Sequence, residues 1–216
     1  MLIETGSKFV MIGDSITDAG RARPVGEGLF GGLGQGYPAV VDAILGATCP
    51  ERRIRVVNVG TSGDTVRQLD ARWRSDVLDQ KPDWLSIMIG ANDVWRQFDM
   101  PCATEIHVLP AEYEATLDRL IAATLPGLKG LALLTPFYLE ARRDDAMRAR
   151  MDEYGDIIRR LAERHGALLA DTQAAFDGVM QHVYGPQLGW DRVHPNATGH
   201  MVLARTLLSA VGYTAW

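Results

Sequence analysis

Short, unbroken apolar runs alternate along this chain with longer stretches in which apolar residues recur every three or four positions. The first run, Phe9, Val10, Met11 and Ile12, stops at Gly13 and predicts a buried strand over residues 8–13. Further strands are predicted over 54–59, 84–89, 130–134 and 167–170. Helical spacing fills the intervals. Tyr37, Val40, Val41, Ile44 and Leu45 mark one helix, and Val66, Leu69, Trp73 and Val77 a second. Tyr113, Leu117, Leu120, Ile121 and Leu125 mark a third. The fourth and longest carries Met147, Met151, Tyr154, Ile157, Ile158 and Leu161, and Gly166 caps it. A short helix is predicted from Asp171 or Thr172 to about Val183. A last one turns Met201, Ala204, Leu208 and Val211 inward. Residues 94–110, with Trp95, Phe98, Pro101 and Pro110, are predicted to be irregular.

Strands alternating with helices, with no hairpin signal, predict an α/β fold: a three-layer sandwich around a five-stranded parallel sheet. No linker, repeat or low-complexity stretch divides the chain, so residues 1–216 are expected to form one domain. The expected strand order is flavodoxin-like, 2-1-3-4-5, with its switch point between strands one and three. The loops after those strands carry Ser15 and Asn92. Topology therefore predicts that these two residues share a crevice.

Composition narrows the function. A net charge of −5 gives no expectation of a nucleic-acid-binding face. No apolar run approaches the ~18 residues of a membrane span. No basic stretch followed by an apolar segment opens the chain, so a cytoplasmic location is expected. Cys49 and Cys102 form no CxxC pair, no cofactor is expected, and no His/Asp cluster with metal-ligand spacing is seen. Gly26 to Gly31 matches GxGxxG formally, but it lies far beyond the first strand. A loop over a ligand site is the better reading than a dinucleotide fingerprint.

Candidate chemistry lies at both ends of the chain. Ser15 follows the first strand, where a small polar residue meets the ligand-binding edge of an open sheet. Asp191 and His194, three apart, could pair so that one imidazole nitrogen is held and the other serves as a base. Plainer readings stand beside these. Ser15 could bond a backbone group, His194 could satisfy a loop carbonyl, and Asp14 suits a helix cap or loop anchor better than catalysis. GxSxG is absent, which leaves Ser62 a weak rival nucleophile. Asp171 is an alternative acid that reads better as a helix cap.

Four blocks occur in order: Gly13-Asp-Ser15-Ile-Thr17, Asn58-Val-Gly60-Thr-Ser-Gly63, Gly90-Ala-Asn92-Asp93 and Asp191-Arg-Val-His194. The set resembles the SGNH (GDSL-type) hydrolase family, from about residue 8 to 205. That resemblance implies Ser15 as nucleophile and His194 as base, with Asp191 fixing the imidazole. It also implies an oxyanion pocket of the Ser15 amide, the Gly63 amide and the Asn92 side chain. Gly63 would suit that pocket because a side chain there could obstruct a backbone approach. The stretches GDSITDAGRARP, SIMIGANDVWRQ, EYEATLDRL, LLTPFYLE, DTQAAF and LGWDRVHPNATGHMVLAR are similar to a bacterial branch of carbohydrate acetylesterases that includes intracellular acetylxylan esterases. The implied partner is a small acetylated carbohydrate. Asp14, Trp95, Arg96, Tyr138 and Trp190 are candidate substrate contacts, with Phe98, Arg21, Arg23 and Arg192 near the same edge. The tryptophans could equally be core or interface residues, and Trp84 and Trp216 read as structural. Two alternatives are a lipase or acyl-thioesterase of the same fold and a non-catalytic carbohydrate-binding module. The sequence permits a homo-oligomer.

Overall fold

The five apolar runs pair side by side as an all-parallel sheet in the order β2-β1-β3-β4-β5. In the computed structural model, which describes residues 1–215, these are β1 (Lys8–Gly13), β2 (Arg55–Asn58), β3 (Trp84–Met88), β4 (Gly130–Leu134) and β5 (Leu168–Ala170). β1 lies between its two neighbours, with Phe9 beside Val56 and Trp84, and its core residues are buried. Continuous apolar runs form here because helices cover both faces, so neither set of alternating side chains meets water. Trp84 is buried, in keeping with a structural role. Trp216, expected to share that role, lies outside the described residues.

Among the described residues, eight α-helices complete the layers: α1 (Ser15–Asp18), α2 (Tyr37–Thr48), α3 (Val66–Ala71), α4 (Ala91–Asp99), α5 (Pro110–Thr124), α6 (Ala146–His165), α7 (Thr172–Met180) and α8 (Ala197–Ala210). α8 packs with α2 and α7, while α5 and α6 pack together with α3 and α4. Their ends follow local chemistry. Asp145 caps α6 by accepting from the Arg148 amide, and Gly166 ends it at φ 62°. Asp171 caps α7 by accepting from the Ala174 amide at 3.0 Å, and it is ion-paired to Arg159.

Three expectations need correction. Residues 94–99 are helical as part of α4, which runs without Gly or Pro from Ala91 to Asp99; only the stretch before Pro110 is irregular, with one turn over Thr104–Ile106. The second helix is not continuous: α3 ends at Ala71, and a π-helical turn, Arg74–Leu78, follows. That extra residue per turn keeps Trp73 and Val77 in the core while Arg72 turns to the sheet edge. Met201 is 42% exposed, because the inward stripe of α8 runs through His200, Leu203, Ala204, Leu207 and Leu208. Asn196 starts α8 by accepting from the Gly199 amide.

The connection after β2 is pressed against α1. A Cβ on Gly60 would meet the Asp18 amide nitrogen and the Thr17 carbonyl carbon, both backbone atoms that cannot step aside. Gly60→Ala is therefore expected to destabilise the fold by ~2 kcal/mol or more. A urea midpoint indistinguishable from the parent's would contradict this packing.

Candidate active site

β1 ends at Gly13 because the next residues turn sharply into α1. Asp14 caps that short helix, its Oδ1 accepting from the Ile16 amide at 3.0 Å. The side chain is buried, so Asp14 occupies the cap position, and this burial argues against its candidacy as a substrate contact. Ser15 is the first residue of α1. First-turn amides have no intrahelical acceptor, so its N–H can face a ligand.

The chain returns to Ser15 only 179 residues later. His194 Nε2 lies 2.8 Å from Ser15 Oγ, and His194 Nδ1 lies 2.6 Å from Asp191 Oδ2. The other oxygen, Asp191 Oδ1, accepts from the amides of Val193 and His194 at 2.9 and 2.8 Å. The turn is thus wound around its own carboxylate. Burial opposes the charge on Asp191, but the imidazole and the two amides outweigh it and hold the carboxyl below its ordinary range. Arg192 adopts φ 64° within this turn, and its carbonyl accepts from the Leu139 amide at 2.9 Å. Its guanidinium pairs with Glu140 at 2.8 Å.

Two further loops bring amide donors. Asn92 sits in the first turn of α4, buried, and spends one side-chain N–H on the Asp64 carbonyl at 3.0 Å. A primary amide carries a second N–H as well. Gly63 has φ 87°, a conformation that favours glycine, while an added Cβ would meet no atom within 4 Å. The backbone angle, more than crowding within the protein, selects glycine there. Asp93 joins these loops from below, its Oδ1 accepting from the Val66 amide at 2.9 Å.

Trp95 stands one helical turn beyond Asn92, with its ring centroid 5.7 Å from that of His194. Arg96 lies over the indole at 5.1 Å and is ion-paired to Asp99. Tyr138 is half-buried, its backbone bonded to Gln173, and Trp190 is 85% exposed beside Asp191. The arginines expected to offer donors are largely occupied. Arg21 is buried and donates to the carbonyls of Gly60, Ala22 and Pro24, and Arg23 pairs with Asp18. Ser62 Oγ donates to Asp18 Oδ2 at 2.8 Å, so it has a carboxylate and no imidazole beside it. Sequence reasoning passed over Arg72 and His200. Arg72 carried no motif. His200 Nδ1 accepts from the Tyr37 amide at 3.1 Å, closing the start of α2. Among the described residues no group of three or more His, Cys, Asp or Glu is placed to hold a metal ion.

An alcohol, an imidazole and a carboxylate bonded in series at the switch point of a parallel sheet define a serine-dependent acyl hydrolase. The chain belongs to the GDSL-like lipase/acylhydrolase family, whose model matches residues 11–202. It is 56% identical over 213 residues to an acetylxylan esterase of Geobacillus stearothermophilus, covering 99% of this chain and 97% of that one. The crystal structure of Axe2, an acetylxylan esterase from that organism, superposes with a TM-score of 0.98 over 99% of this chain and 98% of its own, at 56% identity. LAE5, described as an alpha/beta hydrolase from the metagenome of Lake Arreo, Spain, gives 0.97 at 58% identity, with 99% and 98% covered.

Buried titratable groups around the site act on stability with opposite signs. Burial, and then the nearby His194, lowers His200 to about 4. The unfolded chain therefore takes up this proton first as pH falls from 6.5, and stability is lost toward pH 4, by at most ~3 kcal/mol. Burial raises Asp93 to about 7 against the Val66 hydrogen bond. That contribution is present at low pH and is lost as pH rises from about 4 through 7. His200→Asn should flatten the acid limb of the unfolding midpoint, and Asp93→Asn the decline between about pH 4 and 7. Parallel profiles for both variants and the parent would refute these assignments.

Proposed function

We propose that the protein is a serine esterase that removes acetyl groups from acetylated xylo-oligosaccharides or closely related sugars. The observation that carries this reading is the unbroken Ser15–His194–Asp191 hydrogen-bond series, found in a chain 56% identical to an acetylxylan esterase. In this reading Ser15 Oγ attacks the acetyl carbonyl carbon as His194 Nε2 takes its proton. Asp191 holds the proton on Nδ1 and stabilises the imidazolium. The Ser15 amide, Gly63 amide and Asn92 side chain receive the negative oxygen. His194 then protonates the departing sugar hydroxyl, and the same base activates water against the acetyl-serine. Axe2 variants S15A, D191A and H194A are described as catalytic mutants, and this chain carries Ser15, Asp191 and His194. Trp95 and Trp190 supply aromatic faces for sugar rings at the rim.

A lipase or acyl-thioesterase and a non-catalytic module are not favoured, given the relationship to acetylxylan esterases and the complete triad. A cytoplasmic site of action belongs to the proposal. So does self-association, supported by Leu29, Phe30, Tyr184 and Trp190, each more than 70% exposed and checked by sedimentation.

Ser15→Ala is expected to abolish hydrolysis of acetylated xylo-oligosaccharides while leaving the fold and sugar binding intact. Along a p-nitrophenyl ester series, activity should fall from acetyl to octanoyl. Turnover by Ser15→Ala at the parent rate would end the nucleophile assignment, and preference for octanoyl would end the substrate assignment.

A further inference from the structure

We propose that Arg72 is a positioning residue for the oxyanion pocket, a guanidinium that sets the spacing among the three loops carrying Ser15, Gly63 and Asn92 without touching substrate. The inference rests on the serine-esterase reading and deepens it.

Arg72 closes α3, just before the π-helical turn Arg74–Leu78. Its side chain is 15% exposed and donates to acceptors on separate parts of the site. Nη2 reaches the Gly13 carbonyl at 2.8 Å, two residues before Ser15. Nη1 reaches the Val59 carbonyl, at the end of β2, at 2.5 Å, and Asp76 Oδ2 at 2.8 Å. Nε reaches Asp64 Oδ2 at 2.5 Å, one residue beyond Gly63. The Asp64 carbonyl in turn holds Asn92 Nδ2 at 3.0 Å. The Gly13 carbonyl also accepts from the Thr61 amide at 3.0 Å. One side chain thus bonds the loops after β1 and β2 directly, and the loop after β3 through Asp64.

The chemistry is specific to arginine. A planar guanidinium has five donors pointing in fixed directions and can bridge several acceptors at once; an ammonium is a point donor that reaches one or two. The ion pair with Asp64 ties that buried carboxylate to the end of α3 and opposes the rise in its pKa that burial causes. None of these bonds reaches His194 or Asp191, which belong to a loop after α7. Arg72 therefore acts on the donors that meet the developing charge, and leaves the proton relay alone. Displacing such donors by a fraction of an ångström weakens transition-state binding more than substrate binding.

The test is a double-mutant cycle. Arg72→Gln, Arg72→Lys and Asp64→Asn are made alone and with Asn92→Ala, and kcat and KM are measured on p-nitrophenyl acetate. Alone, Arg72→Gln should lower kcat ~10²-fold with KM within ~3-fold, and the other two should lower it ~10-fold. In the Asn92→Ala background the further loss should shrink to a few-fold, because the pocket is already impaired. Should Arg72→Gln not fold, Arg72→Lys and Asp64→Asn complete the cycle. Equal losses in both backgrounds, a loss in KM alone, or parent turnover would overturn the proposal. Asn92→Ala itself separates the two levels. If it keeps the parent kcat, the oxyanion reading fails. If it loses ~10²-fold or more while Arg72→Lys and Asp64→Asn lose nothing, only the role of Arg72 fails.

Discussion

Backbone that leaves the carboxyl edge of a parallel sheet loses its ladder partners while still buried, and the whole site depends on how those groups are satisfied. Each amide or carbonyl there needs a replacement bond or costs free energy. Polar side chains provide it. Asn58, fully buried at the end of β2, donates to the carbonyls of Thr17 and Leu33 at 2.7 and 2.9 Å and accepts from the Gly60 amide at 2.9 Å. Arg21 takes three more carbonyls and Arg72 another two. Two arginines that look available for substrate in the sequence, Arg21 and Arg23, are consumed in holding the loops. The result is irregular chain with few ways to move, which suits donors that must stand ready before the reaction begins.

The same surroundings sort the carboxylates. Asp191 is partly buried but receives an imidazole and two amides, and so stays charged. Asp93 receives one backbone hydrogen bond from Val66, its Oδ2 has no partner, and burial pushes it up to about 7. Asp14 is raised similarly by burial, against its bond to the Ile16 amide. Three aspartates in family blocks therefore differ in charge for reasons of donor count and water access. The one with the most donors is the partner of the histidine. The other two serve geometry, as a helix cap and a stitch between loops.

α4 joins Asn92, a member of the proposed oxyanion pocket, to Trp95 at the rim. Because it is helical, Asn92 and Trp95 face the same way one turn apart, and the indole arrives beside the imidazole. A loop in that place would not couple the two positions. Trp190 is carried by the His194 loop, exposed where Trp95 is half-buried. Sugar-ring contacts in the proposed function would thus fall between one aromatic set rigidly and one carried by a turn.

The sequence by itself determined the five strands, their parallel order, most helices and the residues of the Ser15–His194–Asp191 series. Apolar runs and helical periods are local signals, and the family blocks are short and contiguous. It did not reveal the helix over residues 94–99, a short stretch in which Val94, Trp95 and Phe98 stand among polar residues just before Pro101. Nor did it reveal the break after Ala71, where the spacing of Trp73 and Val77 suits an unbroken helix. Only the tertiary structure decided that Arg72 and Asn58 serve the site, that Arg21 is spent on carbonyls, and that Gly63 is chosen by its backbone angle. Those roles depend on which carbonyls are stranded when distant loops meet. Stranded carbonyls leave no mark in the sequence, because every residue carries the same one.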